Sequence, residues 1–133
     1  MKKMNSQPRI LLADDHPGVL ENVSKLLGPQ YKVVGAVENG KKLLEAANKL
    51  APDLIILDIA MPELDGIKAA KKLLQNGNST KVIFLTIQKD QDYIEAALAT
   101  GAHGYVLKHR MQSDLLKAIQ QVLKGDSFIS PIR

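Results

Sequence analysis

Five residues able to do polar chemistry stand directly after short apolar runs. Asp14 and Asp15 follow Ile10–Ala13, Asp58 follows Leu54–Leu57, Thr86 follows Val82–Leu85, and Lys108 follows Tyr105–Leu107. Three carboxylates brought together repel one another unless a cation shares the site. Hard oxygen donors with room for water suit Mg2+, or alternatively Mn2+. A carboxylate can attack phosphorus and form an acyl phosphate. An ammonium and a metal can neutralise phosphoryl oxygens, and a hydroxyl can donate to one of them. Taken singly, each residue has a plainer role. Asp15 before His16-Pro17 could cap a helix, Thr86 could be structural, and Lys108 could be a solvated charge. It is their joint placement at the ends of four apolar runs that points to chemistry.

That joint placement requires the runs to be neighbouring strands. The runs, with one more at Val33–Val37, are mostly continuous rather than alternating, which is how strands covered on both faces read. Their starts at Ile10, Lys32, Leu54, Val82 and Tyr105 leave gaps too long for hairpins and long enough for helical crossovers. The gaps carry helical stripes. Val19, Leu20, Val23, Leu26 and Leu27 stop at Gly28-Pro29, and Leu43, Leu44, Ala47 and Leu50 stop before Pro52. Ile67, Ala70 and Leu74 precede Gly77, and Ile94, Ala97 and Leu98 precede Gly101. Leu115, Leu116, Ile119, Val122 and Leu123 precede Gly125, with Ser113 or Asp114 as the expected cap. The spacing predicts one doubly wound α/β domain, (βα)5, with a parallel five-stranded sheet in the flavodoxin-like order 2-1-3-4-5. In that order the switch point lies between the first and third strands, so Asp14, Asp15 and Asp58 converge there. Asp58 stands alone on the central strand and is the best candidate nucleophile.

Composition narrows the function classes. The chain of 133 residues has the length of one ordinary domain, and 45% hydrophobic with 24% charged residues is typical of a folded one. Cysteine is absent, which excludes disulfides, thiolate metal sites and cysteine nucleophiles. Tryptophan is absent and aromatics are 4%, too few for a base-stacking surface. The net charge of +4 could favour an anionic partner. However, Lys25, Lys41, Lys42, Lys68, Lys71, Lys72 and Lys117 are scattered and read as solvated helix faces. No signal peptide or membrane-length apolar run is present. The cytoplasm is the default location, and no membrane partner is expected. A short disordered tail is expected over 1–8, the domain over 9–128, and the start of a linker or tail over 129–133. His16 reads as a surface or capping residue near the acids, while His103 and His109 read as exposed.

The segments Ile10-Leu11-Leu12-Ala13-Asp14-Asp15-His16-Pro17, Pro52 to Gly66, Phe84-Leu85-Thr86 and Gly101 to Lys108 resemble those of two-component response-regulator receiver domains. The likeness runs from about Arg9 to Ile129. The Asp-Asp-His-Pro opening and the Gly-Ala-x-Gly-Tyr-x-Leu-Lys stretch look most like the NarL/LuxR subfamily. The resemblance implies that Asp58 accepts phosphate from a histidine kinase. It implies that Asp15, Asp58 and the backbone carbonyl of Ala60 bind Mg2+, with Asp14 acting through a metal-bound water. Thr86 and Lys108 would contact the phosphoryl oxygens, Tyr105 would be the aromatic that moves with Thr86, and Ala60 and Gln88 would tune hydrolysis. His109 stands where the wider family often has proline, and Ile87 where it often has a small residue.

The implied output is transcription regulation through a helix-turn-helix domain, with the switch expected to control homodimerisation or contact with that domain. No helix-turn-helix follows the fifth helical stripe, so these residues are not expected to bind DNA themselves. The chain reads as either a stand-alone receiver or part of a longer regulator. Two other classes compete. A small Mg2+-dependent phosphohydrolase with an Asp nucleophile would want an acid two residues beyond Asp58, where Ala60 stands. A flavin carrier would want a Gly/Ser/Thr-rich phosphate loop after the first strand, where Asp14-Asp15-His16-Pro17 would repel phosphate.

Overall fold

Consecutive residues of a strand point to opposite faces, so a strand covered on both sides must be apolar at every position. The computed structural model, described over residues 7–131, shows this at Ile10–Ala13 of β1 (Arg9–Ala13), through β3 (Leu54–Leu57), at Val82–Leu85 of β4 (Lys81–Thr86) and through β5 (Gly104–Leu107). Leu11, Ala13, Ile55, Leu57, Val82, Phe84, Tyr105 and Leu107 form one core with α2 (Gly40–Leu50), α3 (Gly66–Gln75) and α4 (Gln91–Ala99). The alternate residues Ile10, Leu12, Leu54, Ile56, Ile83, Leu85 and Val106 form a second core against α1 (Pro17–Leu27) and α5 (Met111–Leu123). Two apolar layers thus sandwich the sheet, and each fully buried Leu or Ile contributes roughly 1.5–3 kcal/mol.

Local chemistry sets the helix ends. Asn39, Asp65 and Asp90 each accept a backbone N–H of the first turn that follows, capping α2, α3 and α4. Gly28, at φ +56°, closes α1, and α2 ends at Ala51 just before Pro52. The seven lysines read as solvated helix faces are all exposed.

All strand pairings are parallel, in the order β2-β1-β3-β4-β5-β6, with β2 over Lys32–Val37. The five expected strands stand in the expected order, and a sixth is added at the β5 edge. This β6, Phe128–Ile129, pairs with Gly104 and Tyr105. It crosses the expected boundary at 128. Of the expected 1–8 tail, residues 1–6 lie outside the described residues.

One cap is corrected. Neither Ser113 nor Asp114 caps α5, because the 3-10 turn Lys108–Arg110 runs straight into a helix that begins at Met111. Arg110 occupies the cap position without a side-chain cap bond, and Asp114 lies buried inside the first turn.

Candidate functional site

The register that aligns Ala13 with Leu57 sets Asp14 and Asp58 side by side, one residue past the strand ends. The Asp58 N–H donates to the Ala13 carbonyl (3.0 Å) and the Asp14 N–H to the Val37 carbonyl (3.0 Å). Both carboxylates are buried. Asp58 Oδ1 accepts the Ile59 N–H at 2.7 Å, which leaves Oδ2 facing Lys108. The Lys108 ammonium lies 2.9 Å from Asp58 Oδ2 and 2.8 Å from Asp14 Oδ2, bridging the two acids. Burial pulls the Lys108 pKa down, but its hydrogen bonds to Asp14 and Asp58 outweigh that and hold it above the usual lysine value.

Asp15 is the open member of the group, with its side chain 35% exposed. It does not cap α1. His16 takes the cap position, without a side-chain cap bond, ahead of Pro17. The His16 ring stands at the surface as expected, but it also joins the acids. Its Nδ1 is 2.8 Å from Asp14 Oδ1 and 3.1 Å from Asp15 Oδ1. Ligand atoms of Asp14, Asp15, His16 and Asp58 all lie within 4.8 Å of one another. This is an acidic cluster able to share a cation. Three carboxylates, two buried and one open to solvent, fit a hard divalent ion that keeps some of its water.

A cleft of about 440 Å³ opens over the cluster, lined in part by Asp58, Ala60, Thr86, Gln88 and Lys108. The loop that presents Ala60 is pressed between two glycines. A Cβ on Gly66 would stand 1.9 Å from the Asp58 carbonyl oxygen, and one on Gly40 would stand 1.9 Å from that of Leu64. The Gly66 N–H also donates to the Ile59 carbonyl at 2.8 Å. The loop can fold back under Asp58 only because both positions lack a side chain.

Thr86 is fully buried at the end of β4. Its Oγ1 accepts the Gln88 N–H at 3.3 Å, while the Tyr105 hydroxyl donates to the Gln88 carbonyl at 2.8 Å. Threonine and tyrosine therefore hold opposite sides of one backbone residue. Tyr105 is fully buried and tilted 42° against Phe84. Burial first, then the charge of Asp58, pushes its phenol up to about 12.

His109 is exposed as expected and follows a trans bond, since no peptide bond among the described residues is cis. His103 is not exposed. It is half-buried, and its Nδ1 accepts the Val82 N–H at 3.1 Å, taking the place of a backbone carbonyl. Two features lay beyond sequence reasoning. The Gln88 node consists of main-chain atoms, which no side-chain pattern reports. The contact of His16 with the acids depends on a rotamer, although its place beside Asp15 was a usable signal.

The family model described as the response regulator receiver domain matches residues 10–120. The nitrate/nitrite response regulator NarL of Escherichia coli is 37% identical over 129 residues, which cover 95% of this chain and 60% of NarL. The chain thus spans about three fifths of that relative's length. A LuxR-family two-component response regulator from an Aurantimonas species superposes with a TM-score of 0.89 at 30% identity, covering 95% of this chain and 91% of its own. The isolated receiver domain of RcsB from Salmonella enterica, solved with a phosphomimetic beryllofluoride, gives 0.86 at 32% identity, covering 93% and 94%.

Proposed function

The chain belongs to the response regulator receiver family, and from that premise we propose that it is a switch driven by phosphorylation of Asp58. The observation that carries the reading is the Lys108 ammonium bridging Asp14 and Asp58 at the mouth of an open cleft. A carboxylate held there can attack an incoming phosphoryl group while the ammonium is already in place to meet its oxygens.

The donor is a phosphohistidine of a partner kinase, as receiver domains pair with histidine kinases. An Asp58 oxygen forms a bond to phosphorus, the P–N bond breaks, and its electron pair returns to the leaving imidazole, which takes up a proton. The product is an acyl phosphate on Asp58. Asp15, Asp58 and the Ala60 carbonyl would hold Mg2+, or Mn2+, with Asp14 acting through a bound water. The cation supplies positive charge to offset the phosphoryl oxygens. Lys108 transfers its hydrogen bond from Asp58 to a phosphoryl oxygen, and the Thr86 hydroxyl turns to donate to another. Ala60 and Gln88 offer no carboxylate to orient water, which supports slow loss of the phosphoryl group.

Movement of Thr86 disturbs the Gln88 backbone, which Tyr105 also holds. The change therefore spreads to α4, of which only Ile94 and Ala97 are buried. The α4–β5 face, with α5, would then control a homodimer or contact with a transcription-regulating output domain, and any DNA contact would belong to that domain. No helix among the described residues is long and apolar enough to cross a membrane, and we place the protein's work in the cytoplasm.

Labelling with a small acyl-phosphate donor in Mg2+ tests the reading. The wild type should gain a hydroxylamine-labile phosphoryl group, and Asp58→Asn should not. Full labelling of Asp58→Asn would overturn the assignment.

A further inference from the structure

Asp114 is a buried carboxylate that the phosphoryl chemistry leaves unused. It is 3% exposed, in the first turn of α5. Arg110 Nε reaches it at 2.8 Å and Nη2 at 3.4 Å, the Ser113 hydroxyl lies at 2.9 Å, and the Ser130 hydroxyl donates to it at 2.7 Å. Burial alone would raise its pKa, but these bonds and the Arg110 charge hold it below the usual carboxylate value.

Ser130 is as deeply buried, at 1% exposure. Its Oγ accepts the Leu107 N–H at 3.2 Å, and its own N–H donates to the Tyr105 carbonyl at 2.8 Å. Just before it, the Phe128 N–H donates to the His103 carbonyl at 3.1 Å. Lys108 therefore lies between two residues fastened to the same carboxylate: Leu107 through Ser130, and Arg110 directly. The same serine ties the segment after α5 to the strand that carries Tyr105.

A charge this deep is costly to bury, and a chain end could be pinned by apolar contacts alone. The network goes further than pinning, because it brackets the residue that must change partner when Asp58 is phosphorylated. We propose that Asp114 and Ser130 are positioning residues for the Lys108 turn, and that through them a change of state at Asp58 reaches Phe128–Ser130. This rests on the phosphorylation reading above. Displacement of Lys108 toward a phosphoryl oxygen strains its two bracketed neighbours, and Ser130 passes that strain to the segment it anchors.

The test is amide hydrogen exchange on the full chain, with and without beryllofluoride and Mg2+, alongside labelling rates and Mg2+ affinity. In the wild type the ligand should change exchange in the loops around Asp15 and Asp58 and also at Leu107, Phe128 and Ser130. In Ser130→Ala, the Leu107 amide loses its acceptor and should exchange about tenfold faster without ligand. The labelling rate should fall severalfold even at saturating Mg2+, because Asp14, Asp15 and Asp58 are untouched. The Phe128 response to ligand should vanish while the loops still respond. Ser130→Thr, which keeps the hydroxyl, should restore the response. Asp114→Asn, which keeps the shape and removes the charge, leaves Leu107 its acceptor but should likewise slow labelling and abolish the Phe128 response, and it serves if Ser130→Ala does not fold. A Phe128 response in Ser130→Ala equal to wild type overturns the proposal. So does a wild type whose loops respond while Leu107, Phe128 and Ser130 do not. No response anywhere overturns the phosphorylation reading and this proposal with it.

Discussion

Lys108→Met should destabilise the protein in a way that Mg2+ partly repairs. Wild-type Lys108 contacts Asp14 and Asp58 at 2.8 and 2.9 Å; its side chain is 13% exposed and theirs are 4%. Methionine fills much of the same volume but leaves two neighbouring carboxylates without their counter-charge. Stripping one partner from a fully buried pair costs about 3–5 kcal/mol, whereas a surface pair is worth about 0–1 kcal/mol. The crevice is open on the side of Asp15, whose side chain is 35% exposed, so water screens part of the loss. A cost of about 2 kcal/mol follows from weighing these limits. A divalent cation would bind the variant more tightly, because it no longer competes with the ammonium. Each tenfold gain in affinity adds about 1.4 kcal/mol of stability at saturating metal. Urea denaturation of both proteins, in chelator and in millimolar Mg2+, measures the two effects. The gap between them should be about 2 kcal/mol in chelator and should narrow by about 1 kcal/mol in Mg2+. Equal stability in chelator, or a gap that Mg2+ leaves unchanged, would refute the idea that ammonium and metal share one role.

Thr86→Ala should still accept phosphate, because Asp58 and Lys108 remain, yet the ligand-induced shifts of the Tyr105 and α4 amides should largely disappear from NMR spectra; an unchanged response would remove Thr86 from the relay. Tyr105 carries a phenol pKa raised to about 12 against an ordinary 10. Between those pH values the unfolded phenol ionises while the folded one does not, so stability should fall as pH rises through that window. Tyr105→Phe should remove the latest phase of the ultraviolet phenolate titration and flatten the fall, and persistence of that phase would reassign it. Gly66→Ala should destabilise by about 2 kcal/mol or more, since its Cβ would meet the Asp58 carbonyl oxygen at 1.9 Å. Gly18→Ala, in α1 with nothing within 4 Å of its Cβ, should stabilise by about 0.5 kcal/mol. Thermal melts decide between these two, and equal effects would mean the loop under Asp58 is not held by close approach.

The central strands were legible because burial on both faces forces an unbroken apolar run, as in Leu54–Leu57. The acids were legible because the parallel order brings strand ends together, so position along the chain translates into position in the crevice. β6 was not legible. Two residues carry no periodicity, and Gly125-Asp126-Ser127 before them reads as a turn. The start of α5 was hidden because Lys108–Arg110 forms a 3-10 turn continuous with the helix, while the polar Ser113 and Asp114, which looked like caps, are drawn to Arg110 and Ser130. His103 was misread for a related reason: an imidazole nitrogen replaced a ladder carbonyl, and residue type alone does not announce that exchange.

β6 also bears on how the molecule keeps to itself at high concentration. Every residue of β5 is buried, and its outer edge would otherwise present a row of free amides and carbonyls beside apolar side chains. Such an edge invites a strand from another chain, the first step toward aggregation. Two residues of β6 occupy that edge at Gly104 and Tyr105, and the Ser130 N–H closes the Tyr105 carbonyl. Pro131 follows, with no N–H to offer an incoming strand. A three-residue segment thereby ends the sheet in a form that is hard to extend, and its removal should be felt first as a loss of solubility.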